Sequence, residues 1–207
     1  MPVIEITQLR LKGMTVDDPA LLKSLSLVRG KLQTNSRFFS CIEDASLLYI
    51  FGIWPSLDAH LKFLASPARN EVLGPQEEIL DFKWTIHLEL STVSLLLLDA
   101  PFIAIERFNV NAGHVDVYNK SIQEHVQNLQ TTDVLNVTYG WRCDMPTRSH
   151  EAAILTSSRF ERLGGIGAGR HIALSSHDDD RPYYRTLVHH AWNIEHAQSE
   201  PQDSTAR

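Results

Sequence analysis

The chain has 207 residues, 43% of them hydrophobic, enough for one large domain or two small ones around a shared core, and too apolar to be disordered over most of its length. A formal charge of −6 and a pI near 5.9, with no basic stripe interleaved with aromatics, argue against nucleic acid as a partner. The longest apolar runs, 46–54 and 93–98, are too short to span a bilayer, and residues 1–5 lack the basic-then-apolar pattern of a signal peptide, so a cytoplasmic protein is expected.

In chain order, residues 3–11 read as a strand with partial alternation, and Asp17-Asp18-Pro19 opens a helix that runs to about Gln33. Strands follow at 37–43 and 47–53, separated by the turn at Asp44-Ala45. The stretch Tyr49–His60 is the most informative: an apolar strand ends in Trp54, and Pro55-Ser56 starts a helix that carries His60 and continues to Leu64. A further helical stretch spans 68–73. Residues 81–90 then alternate, with Phe82, Trp84, Ile86, Leu88 and Leu90 on one face and Lys83, Thr85, His87 and Glu89 on the other.

That order, β-α-β-β-α-β, is the ferredoxin-like unit, whose sheet leaves one face to be covered. The second half supplies the cover, because it repeats the plan about a hundred residues later. Strands are expected at 102–110, 134–144, 151–156 and 183–194, and a helix at 114–130. Only the second helix pair has no match. In its place, 160–173 holds the run Gly164–Gly169, poor helix material that lacks a nucleotide-binding spacing and reads as a mobile lid. The expected fold is α+β: a first ferredoxin-like unit at 1–92, a packed connector at 93–100, a remodelled second unit at 101–196 and a flexible tail at 197–207.

The residues 47–60, with Phe63-Leu64-Ala65-Ser66, Leu73 and Trp84-x-x-His87, resemble the antibiotic-biosynthesis-monooxygenase-like domains, and more narrowly the tandem forms of fungal secondary metabolism. The resemblance covers most of residues 2–92 by motif and continues through 101–158 and 181–195 by pattern alone. It implies a dimeric α+β barrel, which two fused units can close within one chain. Family activities range from cofactor-free oxygenation through cyclisation and haem degradation to no catalysis, so membership limits mechanism without fixing it.

His87 is the first candidate for chemistry: if the apolar face of its strand packs on the helices, His87, Thr85 and Glu89 look into the barrel, where an imidazole moves protons near neutral pH. The competing reading is a histidine bonded to a neighbour for packing. His60 and Trp54 either line a substrate mouth or fix helix against sheet. In the second half Glu106, Arg107, Tyr139, Trp141, His189 and His190 are candidates. Adjacent strand histidines point to opposite faces, and the match of 187–189 to 85–87 favours His189. Glu106 falls at the position of Thr7, either as a partner for a pocket histidine or as half of a surface ion pair. Ten histidines form no compact metal-ligand set, no metal or cofactor is expected, and Cys41 and Cys143 read as separate buried thiols.

These readings combine into an expected cofactor-independent enzyme of secondary-metabolite biosynthesis. Its catalytic residues are His87, His189 and Glu106, with Trp54, His60, Thr85, Tyr139 and Trp141 around a hydrophobic, polyketide- or terpenoid-like substrate. Cyclisation, isomerisation or dehydration fit best, with cofactor-free monooxygenation and non-catalytic binding as alternatives. A homodimer formed through sheet edges or the 93–98 segment stays open.

Overall fold

In the computed structural model, residues 1–90, 98–111, 113–130, 135–145 and 150–158 are described, together with the strand backbone of 183–193. The elements are β1 (Val3–Leu11), α1 (Pro19–Leu32), β2 (Arg37–Cys41), β3 (Leu47–Trp54), α2 (Leu57–Leu64), α3 (Ala68–Leu73), β4 (Leu80–Leu90), β5 (Phe102–Val110), α4 (Val115–Gln130), β6 (Leu135–Arg142), β7 (Glu151–Ser158) and β8 (Tyr183–Asn193). A short 3-10 turn, Gly74–Gln76, joins α3 to β4. The expected connector at 93–97, the Gly164–Gly169 lid and the tail lie outside the described residues.

Local signals set the helix starts. Asp18 accepts a hydrogen bond from the Ala20 amide at 2.8 Å with Pro19 in the first turn, and Ser56 accepts from the Ala59 amide at 3.1 Å. The Ser56 cap fixes the phase of α2, so that His60, one turn in, is its buried residue.

The eight strands close into one antiparallel barrel in the order β1-β3-β2-β8-β5-β7-β6-β4. Within each half the internal order is the same: β4-β1-β3-β2 and β8-β5-β7-β6. Two short seams join the halves, Phe39–Cys41 with Ala191–Asn193 and Leu88–Leu90 with Gly140–Arg142. Closure gives every strand a neighbour on both sides, although each seam pairs only three residues, so the barrel offers no wholly free edge strand.

Apolar side chains pack across the barrel interior. Ile4, Ile6, Phe39, Tyr49, Phe51, Ile86 and Leu88 from the first half interlock with Ile103, Ile105, Ala153 and Leu155 from the second. Each Ile, Leu or Phe among them contributes about 1.5–3 kcal/mol by leaving water. Outside the barrel, α1 packs Leu21 and Leu25 against Leu9, Phe38, Leu48 and Leu80. On the other half, α4 packs Tyr118, Ile122 and Val126 against Phe108, Val137 and Ile154.

This arrangement inverts one expectation. The apolar residues Trp84, Ile86 and Leu88 fill the barrel, so Thr85 and His87 point outward, towards the helices. The barrel core wins those residues because it is buried from all sides, whereas the helix layer of the first half is short. The alternation of β4 also breaks. Its register against β1 passes from Gln8↔Trp84 to Leu9↔Phe82, leaving Lys83 unpaired as a bulge. The extra residue turns Phe82 to the helix side, where it is 65% exposed.

Candidate active site

The site is assembled from four elements, β1, β3, β4 and α2. Across β1 and β4, Glu5 stands opposite His87 and Thr7 opposite Thr85, all on the outward face. The α2 helix lowers His60 onto this face, and Trp54, the last residue of β3, stacks on its ring at 4.2 Å and 11°. A cavity of about 480 Å³ opens beside these groups, between the outer face of β1 and β4 and the α2–α3 segment. Its other walls are mainly apolar, with Leu9, Ile50, Leu64, Leu73 and Phe82 among them. The size and apolar lining suit a small organic ligand.

A chain of three side chains runs along the cavity wall. Asp144, just past β6, approaches His87 Nδ1 at 3.0 Å through Oδ2 and accepts from the His87 amide at 3.2 Å. His87 Nε2 lies 2.6 Å from His60 Nδ1. His87 and His60 are only 3% and 4% exposed, so this is a desolvated relay. Burial raises the Asp144 carboxyl, but hydrogen bonds from His87 and Arg142 and their nearby charge outweigh it and hold the group below its ordinary value. Asp144 is therefore a carboxylate, able only to accept, so His87 Nδ1 donates to it. With neutral rings, His87 Nε2 must then accept from His60 Nδ1–H. The one lone pair left in the relay is on His60 Nε2.

Burial lowers the pKa of His60 and neighbouring His87 lowers it further, against the pull of Glu5, whose carboxylate oxygen is 3.7 Å from Nδ1. Glu5 is itself pinned: Trp54 Nε1–H donates to Oε2 at 2.5 Å and the Thr7 hydroxyl to Oε1 at 2.6 Å, with Thr7 and Thr85 hydroxyls paired at 2.6 Å. Gly52 opposite Glu5 keeps room for this contact. A Cβ there would meet Ser36 Oγ at 3.3 Å and Glu5 Oε2 at 3.4 Å, tight for packed side chains.

Asp144 also joins the site to the mouth of the barrel. Its Oδ1 accepts from Arg142 Nε at 2.5 Å, Arg142 Nη1 donates to Glu151 at 2.8 Å, and Arg107 Nε donates to the same carboxylate at 2.7 Å. The Arg107 guanidinium lies 4.4 Å over the Trp84 ring. Cys143 is beside His87, but burial first, with Glu89 and Asp144, pushes its thiol up to about 11, so it stays protonated and is no nucleophile.

Of the residues expected from sequence, His87, His60, Trp54 and Thr85 are brought together, outside the barrel rather than within it. Glu106 takes the position of Thr7, as expected, but in the other half: it pairs in register with Ile154, on the side packed by α4, and does not border the His87 cavity. Tyr139 and Trp141 also pack on the α4 side, where Trp141 Nε1 donates to Asn119 at 3.2 Å. For His189 the register separates two expectations: it is not the counterpart of His87, yet its backbone pairs with Ile105 of the barrel core. Glu5 pairs with His87 and its counterpart Ala104 pairs with His190, so His190 is the backbone equivalent of His87, while His189 pairs with Ile105. A bulge at Arg107/Phe108 repeats that at Gln8/Leu9, so both halves carry it and the one-residue offset lies in the match of 187–189 to 85–87 itself. The side chains of β8 lie outside the described residues. Sequence reasoning passed over Glu5 and Asp144, since a lone acid on a strand and one after a strand carry no motif.

No family model matches the sequence, and no curated protein matches it. Solved structures do. Chlorite dismutase from Candidatus Nitrospira defluvii superposes with a TM-score of 0.56 at 12% identity, covering 94% of this chain and 93% of that one. A heme-binding protein from Thermus thermophilus gives 0.53 at 8% identity over 96% and 93%. An anthrone oxidase-like protein gives 0.53 at 11% identity over 91% of both chains. At these identities the likeness is one of fold: this chain has the α+β barrel fold of those proteins.

Proposed function

We propose that the protein is a cofactor-independent enzyme that removes a proton from an apolar, oxygen-bearing small molecule, with His60 as the general base. The observation that carries this reading is the Asp144–His87–His60 relay ending at a large apolar cavity. A ligand C–H next to a carbonyl gives its proton to His60 Nε2, and the electron pair moves onto the oxygen as an enolate. The His60 Nδ1 proton can pass to His87 Nε2, which brings positive charge against the Asp144 carboxylate. Return of a proton to another carbon gives isomerisation, loss of hydroxide as water gives dehydration, and attack by the enolate carbon gives cyclisation. A polyketide- or terpenoid-like intermediate suits the apolar walls, and convergent polar groups favour catalysis over simple carriage.

The architecture supports reading the chain as two fused ferredoxin-like units of the tandem type. Equal strand order in both halves and a bulge at the same place in each are the supporting features. The His60 site then takes Glu5, His60 and His87 from the first unit and Asp144 from the second.

The test is exchange of the acidic α-protons of 2-tetralone in D2O, followed by proton NMR. The wild type should exceed buffer and His60→Ala should not; equal exchange by both removes the proposal. A second reading follows from the anthrone oxidase-like fold neighbour. A stabilised carbanion can give its electrons to O2, oxidising CH2 to C=O and releasing water. Oxygen uptake that depends on His60 would separate this from isomerisation. Haem fits poorly: Glu5, Glu77 and Asp144 border the cavity with one guanidinium, Arg69, already paired to Glu77, where porphyrin propionates need cations. Hemin titration should therefore give no specific Soret shift at this site.

A further inference from the structure

One buried group of the cavity wall is left unused by this proton transfer. Gln76 closes the 3-10 turn between α3 and β4 and is 7% exposed. Its side chain forms part of the wall of the 480 Å³ cavity and of a second, smaller cavity of about 70 Å³ under α1. Its Nε2 is buried with no hydrogen-bond partner. Native proteins rarely leave such a donor unmet, because it has lost water and gained nothing in return. The carboxylate nearest the relay cannot serve it readily, since both Glu5 oxygens already accept from Thr7 and Trp54. The same two cavities are both bordered by His60.

We infer that Gln76 is the anchor for a ligand oxygen, so that the cavity selects flat apolar molecules bearing a carbonyl or phenolate oxygen over their deoxy analogues. This rests on the cavity being the substrate site. The amide N–H donates to the oxygen, and the bond tightens as negative charge gathers there while His60 takes the neighbouring proton. A site built around such a donor discriminates against the analogue that lacks the acceptor, since binding it leaves the donor stranded. Leu, Ile and Phe side chains hold the rest of the molecule.

Calorimetric titration of the full chain with 2-tetralone and with tetralin, which has the same ring frame and no oxygen, tests this. The wild type should prefer 2-tetralone by about tenfold or more. Gln76→Met should erase that preference by weakening 2-tetralone alone, with an unchanged or raised Tm because the unmet donor is gone. Gln76→Asn, which keeps the amide on a shorter stem, should retain part of the preference. Equal affinity of the wild type for both compounds, or binding of neither, overturns the inference. So does a parallel loss of both in Gln76→Met, the outcome expected if a water in the smaller cavity satisfies the amide. The proton-transfer reading fails separately: retained selectivity in His60→Ala with no exchange in the wild type would sink that reading and leave this one standing.

Discussion

Asp144→Asn isolates the relay with one atom changed. Asp144 accepts from His87 on one oxygen and from Arg142 on the other. Asparagine has a single oxygen to offer. If its NH2 turns to Arg142, two donors face each other. If it turns to His87, Nδ1 must accept, Nε2 then donates to His60 Nδ1, and the proton of His60 is driven onto Nε2, where the base should be. The electrostatic part alone is sizeable: charge centres roughly 8 Å apart, the separation of Asp144 from the His60 ring along the relay, interact by about 2 kcal/mol at an effective dielectric of 20, or ~30-fold in rate. Tautomer reversal adds to this, and an equivalent change in the Ser-His-Asp triad costs about 10⁴-fold. We expect the α-proton exchange of 2-tetralone to fall at least ~30-fold with KM little changed, measured beside a thermal melt to confirm folding. An exchange rate within threefold of wild type, at an unchanged Tm, would refute the relay.

Further outcomes follow from the same geometry. Because burial lowers the His60 pKa, the free base persists below pH 6.5, and kcat/KM should hold through that pH and fall only as pH drops through the lowered value; an acid limb centred above 6.5 contradicts this. Stability has the same sign. The depressed His60 and Asp144 values mean the unfolded chain binds more protons, so their contributions are full above the unfolded pKa of each and vanish as pH falls through the folded ones. Denaturant midpoints should decline on acidification below about pH 6, in two stages, and His60→Ala should remove the upper one. Ile86→Ala, in the barrel core, should cost about 2–5 kcal/mol by denaturant unfolding. Phe82→Ala should leave the midpoint almost unchanged and raise KM, because that ring is turned to the cavity rather than the core. The opposite pattern would mean the bulge has been misplaced.

Much of this was legible in the residues. The Ser56 cap, the helix carrying His60, the alternating strand at His87 and the hundred-residue echo in the second half all rest on local patterns with a fixed period. What escaped were facts of register and of facing. Alternation separates two faces of β4 without saying which one a barrel will claim, and the apolar core of Ile6, Phe51, Ile86 and Ile105 claimed the face expected for the helices. A bulge then moved Phe82 across the sheet, and strand pairing rather than residue type made His190 the backbone counterpart of His87.

The local chain thus determined which segments form helices and strands, and that His60 and His87 both lie on ordered elements. Only the closed barrel decided that Glu5 meets His87, that Asp144 reaches back 57 residues to orient it, and that the relay ends outside the barrel. The reason is physical: hydrophobic periodicity is written in neighbours along the chain, whereas a hydrogen-bonded chain of acid and imidazoles depends on which strands pair and in what register. No single residue encodes that pairing, which closure of the barrel settles for all eight strands at once.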